Sequence, residues 1–269
     1  MRNRAVHLAL MVGAIVFSYP FIWLIAATLK PEADISGSLL QASSWSFAHY
    51  VSVFESLPVL RGFTNSLIVS GLITFSVVFS GAITGYAWSV LRWNGRDTLF
   101  HVSLLTMMMP FQLTVIPMYV LIVWLGLTDH LAGLIIPGMM SALSILLFRQ
   151  HFLTMPKDLI EAARLDGCSH LGVLFRVLLP NSTPVIVTVS ILTFIGAWND
   201  VLWPIIVIRD PEFMTFPQMV ALFAVGGGSD SNLGAELASS ALLALPVVVA
   251  YLFFQRQFIS SMATSGLKS

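Results

Sequence analysis

Charge is scarce in this chain: Asp, Glu, Lys and Arg make up only 10% of its 269 residues, against 57% that are hydrophobic. A water-soluble globule of this length needs a charged surface to solvate it, so water is excluded as the main solvent. Formal net charge is zero, which argues against a nucleic-acid partner. Cysteine is scarcer still: Cys168 stands alone and can form neither an intrachain disulfide nor a multi-cysteine metal site. The histidines, His7, His49, His101, His130, His151 and His170, lack ligand spacing such as two at i, i+4 on one helix. They read as structural, and no metal site is expected. A P-loop needs Gly-Lys followed by Ser or Thr, whereas Lys30, Lys157 and Lys268 follow Leu29, Pro156 and Leu267. This chain cannot supply that nucleotide site. The nucleophile–base pair or metal cluster of an intramembrane enzyme is also missing, so no catalytic residue is expected.

What the sequence does have is apolar length. Runs near 8–29, 65–91, 99–123, 131–149, 183–208 and 237–255 are each long enough to cross about 30 Å of hydrocarbon. Inside a bilayer the backbone must satisfy its own hydrogen bonds, and these runs are far too long for barrel strands. The expected fold is all-α: a polytopic membrane protein with six transmembrane helices, forming a single transmembrane domain over residues 1–269. The first run follows Arg2 and Arg4 like a signal peptide, but it exceeds an h-region of roughly 7–15 residues and carries Pro20. An uncleaved first helix is the better reading.

Charge asymmetry sets the expected orientation, because loops kept in the cytoplasm hold excess Lys and Arg. With the N-terminus inside, Arg2, Arg4, Arg92, Arg96, Arg149, Lys157, Arg164, Arg176, Arg256 and Lys268 fall on the cytoplasmic side, and only Lys30, Arg61 and Arg209 fall outside. Glu32, Asp34, Glu55, Asp129, Asp210, Glu212, Asp230 and Glu236 are then external. Six crossings put both termini in the cytoplasm. Two external segments are long. The stretch 30–64, with Trp45, Phe47, Tyr50 and Phe54, suits interfacial helices, and 210–236, with Gly226, Gly227, Gly228 and Ser229, suits a mobile loop. Kinks or breaks are expected at Pro110, Pro117, Pro137, Pro204 and Pro246.

The cytoplasmic loop 150–181 is punctuated like two short helices. Thr154 can cap the first, Pro156 suits its first turn, Asp158 and Glu161 favour the positive end of its dipole, and Gly167 stops it. Ser169 can cap a second, amphipathic helix carrying Leu171, Leu174, Phe175 and Leu178 and ending before Pro180.

Here the chain resembles the inner-membrane permease subunits of bacterial ABC importers. Their loop reads Glu-Ala-Ala, three residues, Gly, nine residues, Ile, any residue, Leu-Pro; Glu161, Ala162, Ala163, Gly167, Val177, Leu179 and Pro180 match, with Val177 in place of Ile. The stretch 110–138, Phe148-Arg149-Gln150, the stretch 194–204 with Trp198-Asn199-Asp200, and the tail from Gln255-Arg256-Gln257-Phe258 extend the likeness to the smaller permease of maltose-type and glycerol-phosphate-type systems. The resemblance implies a sugar or sugar-like solute and a bacterial inner-membrane location. It implies a heterodimer with a second permease subunit, two ATP-binding subunits that hold ATP and Mg, and an external solute-binding protein. It also implies that Glu161, Ala162, Ala163, Arg164, Asp166, Gly167, Leu179 and Pro180 couple to the ATPase subunit, with no cofactor in this chain.

Asp200 is the one carboxylate placed at membrane depth, where an ionised group must be paired or hydrated. Asn199 and Asp200 either line the translocation path or a gate, or form a polar bracket between helices; the flanking Trp198 and Trp203 lean toward the bracket. The rival to an ATP-driven importer is an ion-gradient-driven secondary transporter or channel acting without an ATPase. Such machines usually carry several intramembrane ionisable groups, and these helices show one.

Overall fold

The computed structural model describes residues 2–37, 42–226 and 232–265, with side chains described over 6–37, 42–226 and 232–252. Its α-helices are α1 (Arg2–Thr28), α2 (Ala48–Ser56), α3 (Val59–Ser89), α4 (Arg96–Thr106), α5 (Phe111–Trp124), α6 (Leu131–Gly138), α7 (Ala142–Thr154), α8 (Lys157–Leu165), α9 (His170–Val173), α10 (Thr183–Trp198), α11 (Leu202–Val207), α12 (Phe216–Gly226) and α13 (Leu233–Ser265). The described residues contain no strand. Among the described residues, four stretches are long and apolar enough to cross a bilayer: Val6–Thr28, Val59–Ser89, Pro180–Trp198 and Leu233–Leu252. The bent pairs α4–α5, at 99°, and α6–α7, at 41°, bring the total to six where each pair is one span.

The breaks differ from the expected kinks in informative ways. Pro110 stands at the N-cap of α5 in extended conformation, so it separates two helices outright. Pro117, Pro137 and Pro246 lie within helices, and Pro204 falls in the first turn of the short α11, where its missing N–H costs nothing. The run 183–208 is not one span. α10 ends at Trp198, and α11 begins only at Leu202. Within 210–236 the structure forms α12 rather than a loop throughout; Gly227, Gly228 and Ser229 lie outside the described residues. In the segment 30–64, α2 carries the aromatic cluster, with Phe47 and Phe54 exposed and the Tyr50 hydroxyl 2.9 Å from Thr28 Oγ1.

The chain divides into two compact units, Met1–Gly62 with Phe216–Val248, and Phe63–Thr215 with Val249–Ser269. In the first, the open N-terminus of α13 is closed by side chains. The Glu32 carboxylate accepts the backbone N–H groups of Leu233 at 2.8 Å and Gly234 at 3.0 Å, and Asn232 Oδ1 accepts that of Ala235 at 3.0 Å. His49 Nε2 lies 2.8 Å from the Lys30 carbonyl, and its ring packs on Gly234.

The second unit is built on the contact of α3 with α7. A Cβ at Gly85 would stand 2.7 Å from Phe148 Cβ and 3.0 Å from the Arg149 nitrogen, so only glycine lets these backbones approach. Gly81, one turn earlier, meets Ser144, whose hydroxyl donates to the Val77 carbonyl at 2.9 Å. Arg149, one residue along α7, donates from Nε to the Trp88 carbonyl at 3.3 Å and lies 4.0 Å over the Phe100 ring. That fixes α4 to the same corner. Beyond α5, the Asp129 carboxylate accepts the backbone N–H groups of Arg209 and Asp210, which hold it below the usual carboxylate range.

Adding one methyl group separates close approach from helix propensity. Gly85→Ala is expected to lower the thermal unfolding midpoint in detergent, at a cost of about 1–3 kcal/mol for overpacking. Gly71, whose Cβ would meet nothing within 4 Å, tests the opposite sign. Gly71→Ala should leave the midpoint unchanged or raise it by up to about 1 kcal/mol of helix propensity.

Candidate functional site

Between α7 and α10 the chain forms a two-armed bracket. α8 starts directly after Pro156 without a side-chain cap, and Thr154 instead donates to the His151 carbonyl at 2.7 Å. The expected Thr154 cap is not made, because Pro156 already sets the entry to the helix and Asp158 faces its dipole. The C-terminus is a full Schellman closure. Gly167, at φ +82, returns its N–H to the Arg164 carbonyl at 3.1 Å, and Cys168 returns its own to Ala163 at 3.0 Å. Arg164 Nη1 donates to the Cys168 carbonyl at 2.7 Å, so this cation seals the turn.

Ser169 caps α9 as expected, accepting the Gly172 N–H at 3.1 Å. The second arm departs from expectation after that. A π-helical turn, Leu174–Leu178, carries a bond from Leu179 N to the Leu174 carbonyl at 2.9 Å. Leu179 keeps helical dihedrals, and the chain runs on through the 3₁₀ turn Pro180–Ser182 into α10. Pro180 does not stop the helical path: it stands at the first position of that 3₁₀ turn, directly after the π turn. The expected apolar face is also divided. Leu174 and Leu178 are buried, while Leu171 and Phe175 are exposed.

Ala163 roots the first arm: with Val77, Phe148, Phe152, Val173, Leu174, Leu178 and Val185 it forms one core cluster, against which Ile160, Val177 and Leu179 pack. Glu161, Ala162, Arg164, Asp166, Gly167 and Pro180 are exposed, and Leu165 is 89% exposed. A hydrogen bond of 2.9 Å between the Tyr86 hydroxyl and His170 Nδ1 ties the second arm to α3.

A cavity of about 590 Å³ opens among α3, α5, α6, α7, α10 and α11. Apolar walls from Val77, Phe111 and Trp203 alternate with the polar groups of Thr114, Ser141, Thr193 and Asp200. Asp200 Oδ1 accepts the Trp203 backbone N–H at 3.4 Å across the break before α11, and Trp203 Nε1 donates to the Gly133 carbonyl at 3.1 Å. Asp200 thus accepts at the turn into α11 and also borders the cavity, while Trp203 makes the bond to α6. Asn199 is separate: it is exposed, donates to the Ile195 carbonyl at 2.9 Å, and does not line the cavity.

Residues 78–263 match the family of binding-protein-dependent transport system inner membrane components. The chain belongs to that family. It is 31% identical over 269 residues to the arabinooligosaccharides transport system permease protein AraQ of Bacillus subtilis, covering 98% of this chain and 95% of that one. It is 29% identical to the sn-glycerol-3-phosphate transport system permease protein UgpE of Pectobacterium atrosepticum, covering 96% and 95%. Its fold matches a chain in the crystal structure of a bacterial ABC transporter involved in import of the acidic polysaccharide alginate, with a TM-score of 0.82, 23% identity, and 95% and 96% coverage. This protein is thus a membrane-spanning permease subunit of an ABC importer and is not itself an enzyme.

In this permease the Glu-Ala-Ala-to-Gly stretch forms α8 and its closure, with Leu179 and Pro180 at the far end of the second arm. The anchors beneath were not evident from the motif. Gly81 and Gly85 could have been found from the small-residue spacing Gly-Ala-Ile-Thr-Gly. Thr114, Ser141 and Thr193 carry no pattern of their own, and only the tertiary arrangement assembles them.

Two substitutions at Asp200 separate its hydrogen bond from its charge. Asp200→Asn retains an oxygen for the Trp203 N–H and should unfold within about 1 °C of the parent in detergent. Asp200→Ala removes the acceptor and should cost about 1 kcal/mol or more. Equal midpoints for the two would remove the acceptor role.

Proposed function

We propose that this permease carries a sugar or sugar-like solute inward by alternating access, driven by ATP hydrolysis on a separate subunit that grips α8. The observation that carries this reading is the construction of α8: one buried residue, Ala163, sits in the main core, while its rim and closing turn stand free. A nine-residue helix so rooted transmits force where it is seated and can be gripped everywhere else. The small exposed side chain of Ala162 suits close approach to a protein groove, and Glu161 and Asp166 offer charged contacts at its rim. Leu179 and Pro180 would follow the motion into α10. On this reading ATP and Mg reside on the partner, since this chain lacks a Gly-Lys-Ser/Thr loop.

The named relatives support the solute class: one is an arabinooligosaccharide permease and another a glycerol-3-phosphate permease. A second fold match, with a TM-score of 0.64 and 15% identity, comes from an alginate ABC transporter in complex with a periplasmic protein bound to alginate pentasaccharide. The proposed assembly is this chain with a second permease, two ATPase subunits and an external solute-binding protein. The excess of Lys and Arg beside α8 and at the N-terminus supports an orientation with both termini and α8 in the cytoplasm. The cavity bordered by Asp200 is then the candidate passage, with closure of the ATPase pair drawing α8 inward and turning it outward-open.

Gly167 provides the test, because its positive φ suits Gly, then Asn, and resists β-branched residues. In the assembled complex in proteoliposomes, Gly167→Val should leave ATPase activity largely intact and reduce solute uptake at least about tenfold, as expected if more than about 1.4 kcal/mol of coupling is lost. Gly167→Asn should keep most uptake. Undiminished uptake by Gly167→Val would remove α8 from the coupling role.

A further inference from the structure

A second cavity, of about 360 Å³, lies beside α8 and has a different chemistry. Three cations converge on it, Arg92, Arg96 and Lys157, against one carboxylate, Glu161. Arg96 is partly committed, donating from Nη1 to the Leu91 carbonyl at 3.1 Å and from Nε to Asp97 at 3.2 Å. The side chains of Arg92 and Lys157 make no hydrogen bond or ion pair among the described residues. Like charges around one concavity repel each other, and an anion seated among them turns that repulsion into attraction. The remaining wall is apolar, from Val90, Phe152 and Leu153. Ser89 and Leu153 belong to the ends of α3 and α7, so the cavity opens where two apolar helices give way to the polar bracket.

We propose that this cavity is a binding site for a phosphate group, held by Arg92, Arg96 and Lys157. The apolar wall at the ends of two membrane helices favours the phosphodiester of an anionic glycerophospholipid, with its glycerol and acyl ends against Val90 and Leu153. Free phosphate shares the chemistry and lacks that second contact. Arginine forks suit phosphate oxygens geometrically, and a basic pocket at the end of spanning helices is where headgroups reside. The site is independent of the solute passage, and an anchored lipid there would hold the base of α8.

The full chain, purified in a neutral detergent, is tested by native mass spectrometry with phosphatidylglycerol, phosphatidylcholine and inorganic phosphate as separate probes. Phosphatidylglycerol should bind in preference to phosphatidylcholine, and Arg92→Gln with Lys157→Gln should lower its occupancy by about fivefold per cation removed. The single variants provide the same readout at half the change in charge, should the double variant unfold. Arg176→Gln, which removes an exposed cation that does not line the cavity, should bind as the parent does. Phosphate adducts that depend on Arg92 and Lys157, without a preference for phosphatidylglycerol, would establish the site with free phosphate as its ligand. Occupancies unchanged by the double variant for every probe, or lowered equally by Arg176→Gln, would overturn the proposal.

Discussion

The close approach of α3 to α7 is the constraint on which the unit of residues 63–215 depends. In hydrocarbon no hydrophobic effect draws one apolar helix to another, so the contact must come from dispersion at short range and from hydrogen bonds. Gly81 and Gly85 supply the short range, and Ser144, bonded to the Val77 carbonyl, supplies the hydrogen bond. Everything nearby takes its position from that contact. Phe148 and Phe152 are buried against α3, and Arg149 is aimed at the Trp88 carbonyl and the Phe100 ring. The floor this creates is the one on which Ala163, Val173, Leu174 and Leu178 rest.

A second constraint governs where helices stop. Each break in a membrane chain exposes N–H groups that lipid cannot satisfy. The structure places a side-chain acceptor at several such breaks: Ser141 before α7, Asp200 before α11, and Glu32 with Asn232 at α13. The Asp129 carboxylate does the same for the turn after α11, and its lowered pKa keeps it ionised through mild acid. Its contribution is present above the ordinary carboxylate pKa and is lost only as pH falls through the depressed value. Several carboxylates among the described residues are thus used as backbone acceptors.

The all-helical class, the six apolar runs and the motif loop were legible because each has a local cause: apolar length, or Gly, Ser and Pro at fixed spacings. The stop at Gly167 and the cap at Ser169 are of this kind. The continuation through Pro180 was not, since the π turn that precedes it has no residue code. The end of α10 at Trp198 was hidden for a related reason. Val201 to Ile208 is as apolar as the helix before it, and only the placement of Asp200 and the bond of Trp203 to Gly133 show that the chain turns there. The cavity depends on residues from six helices, so no local pattern could assemble it.

The bracket and the cavity are connected through residues of α3 that belong to both. Val77 is nearly fully buried in the cluster that seats Ala163, and it also lines the 590 Å³ cavity; Ile73, one turn earlier on α3, packs against the same cluster and lines the same cavity. Packed interiors are close to incompressible, so a displacement imposed at Ala163 is passed to the residues of α3, α7 and α10 in the same cluster. Contiguity alone would make a spring. A switch needs an element with two arrangements, and the second arm supplies a candidate: a π turn, which bonds one residue further back than an α-helix, lies between the core residues Leu174 and Leu178 and feeds directly into α10. Tightening that turn to α-helical spacing would rotate the residues that follow it. Thr193, Gly196 and Ala197 would then move against the opposite wall of the cavity, the motion that opening and closing a passage requires.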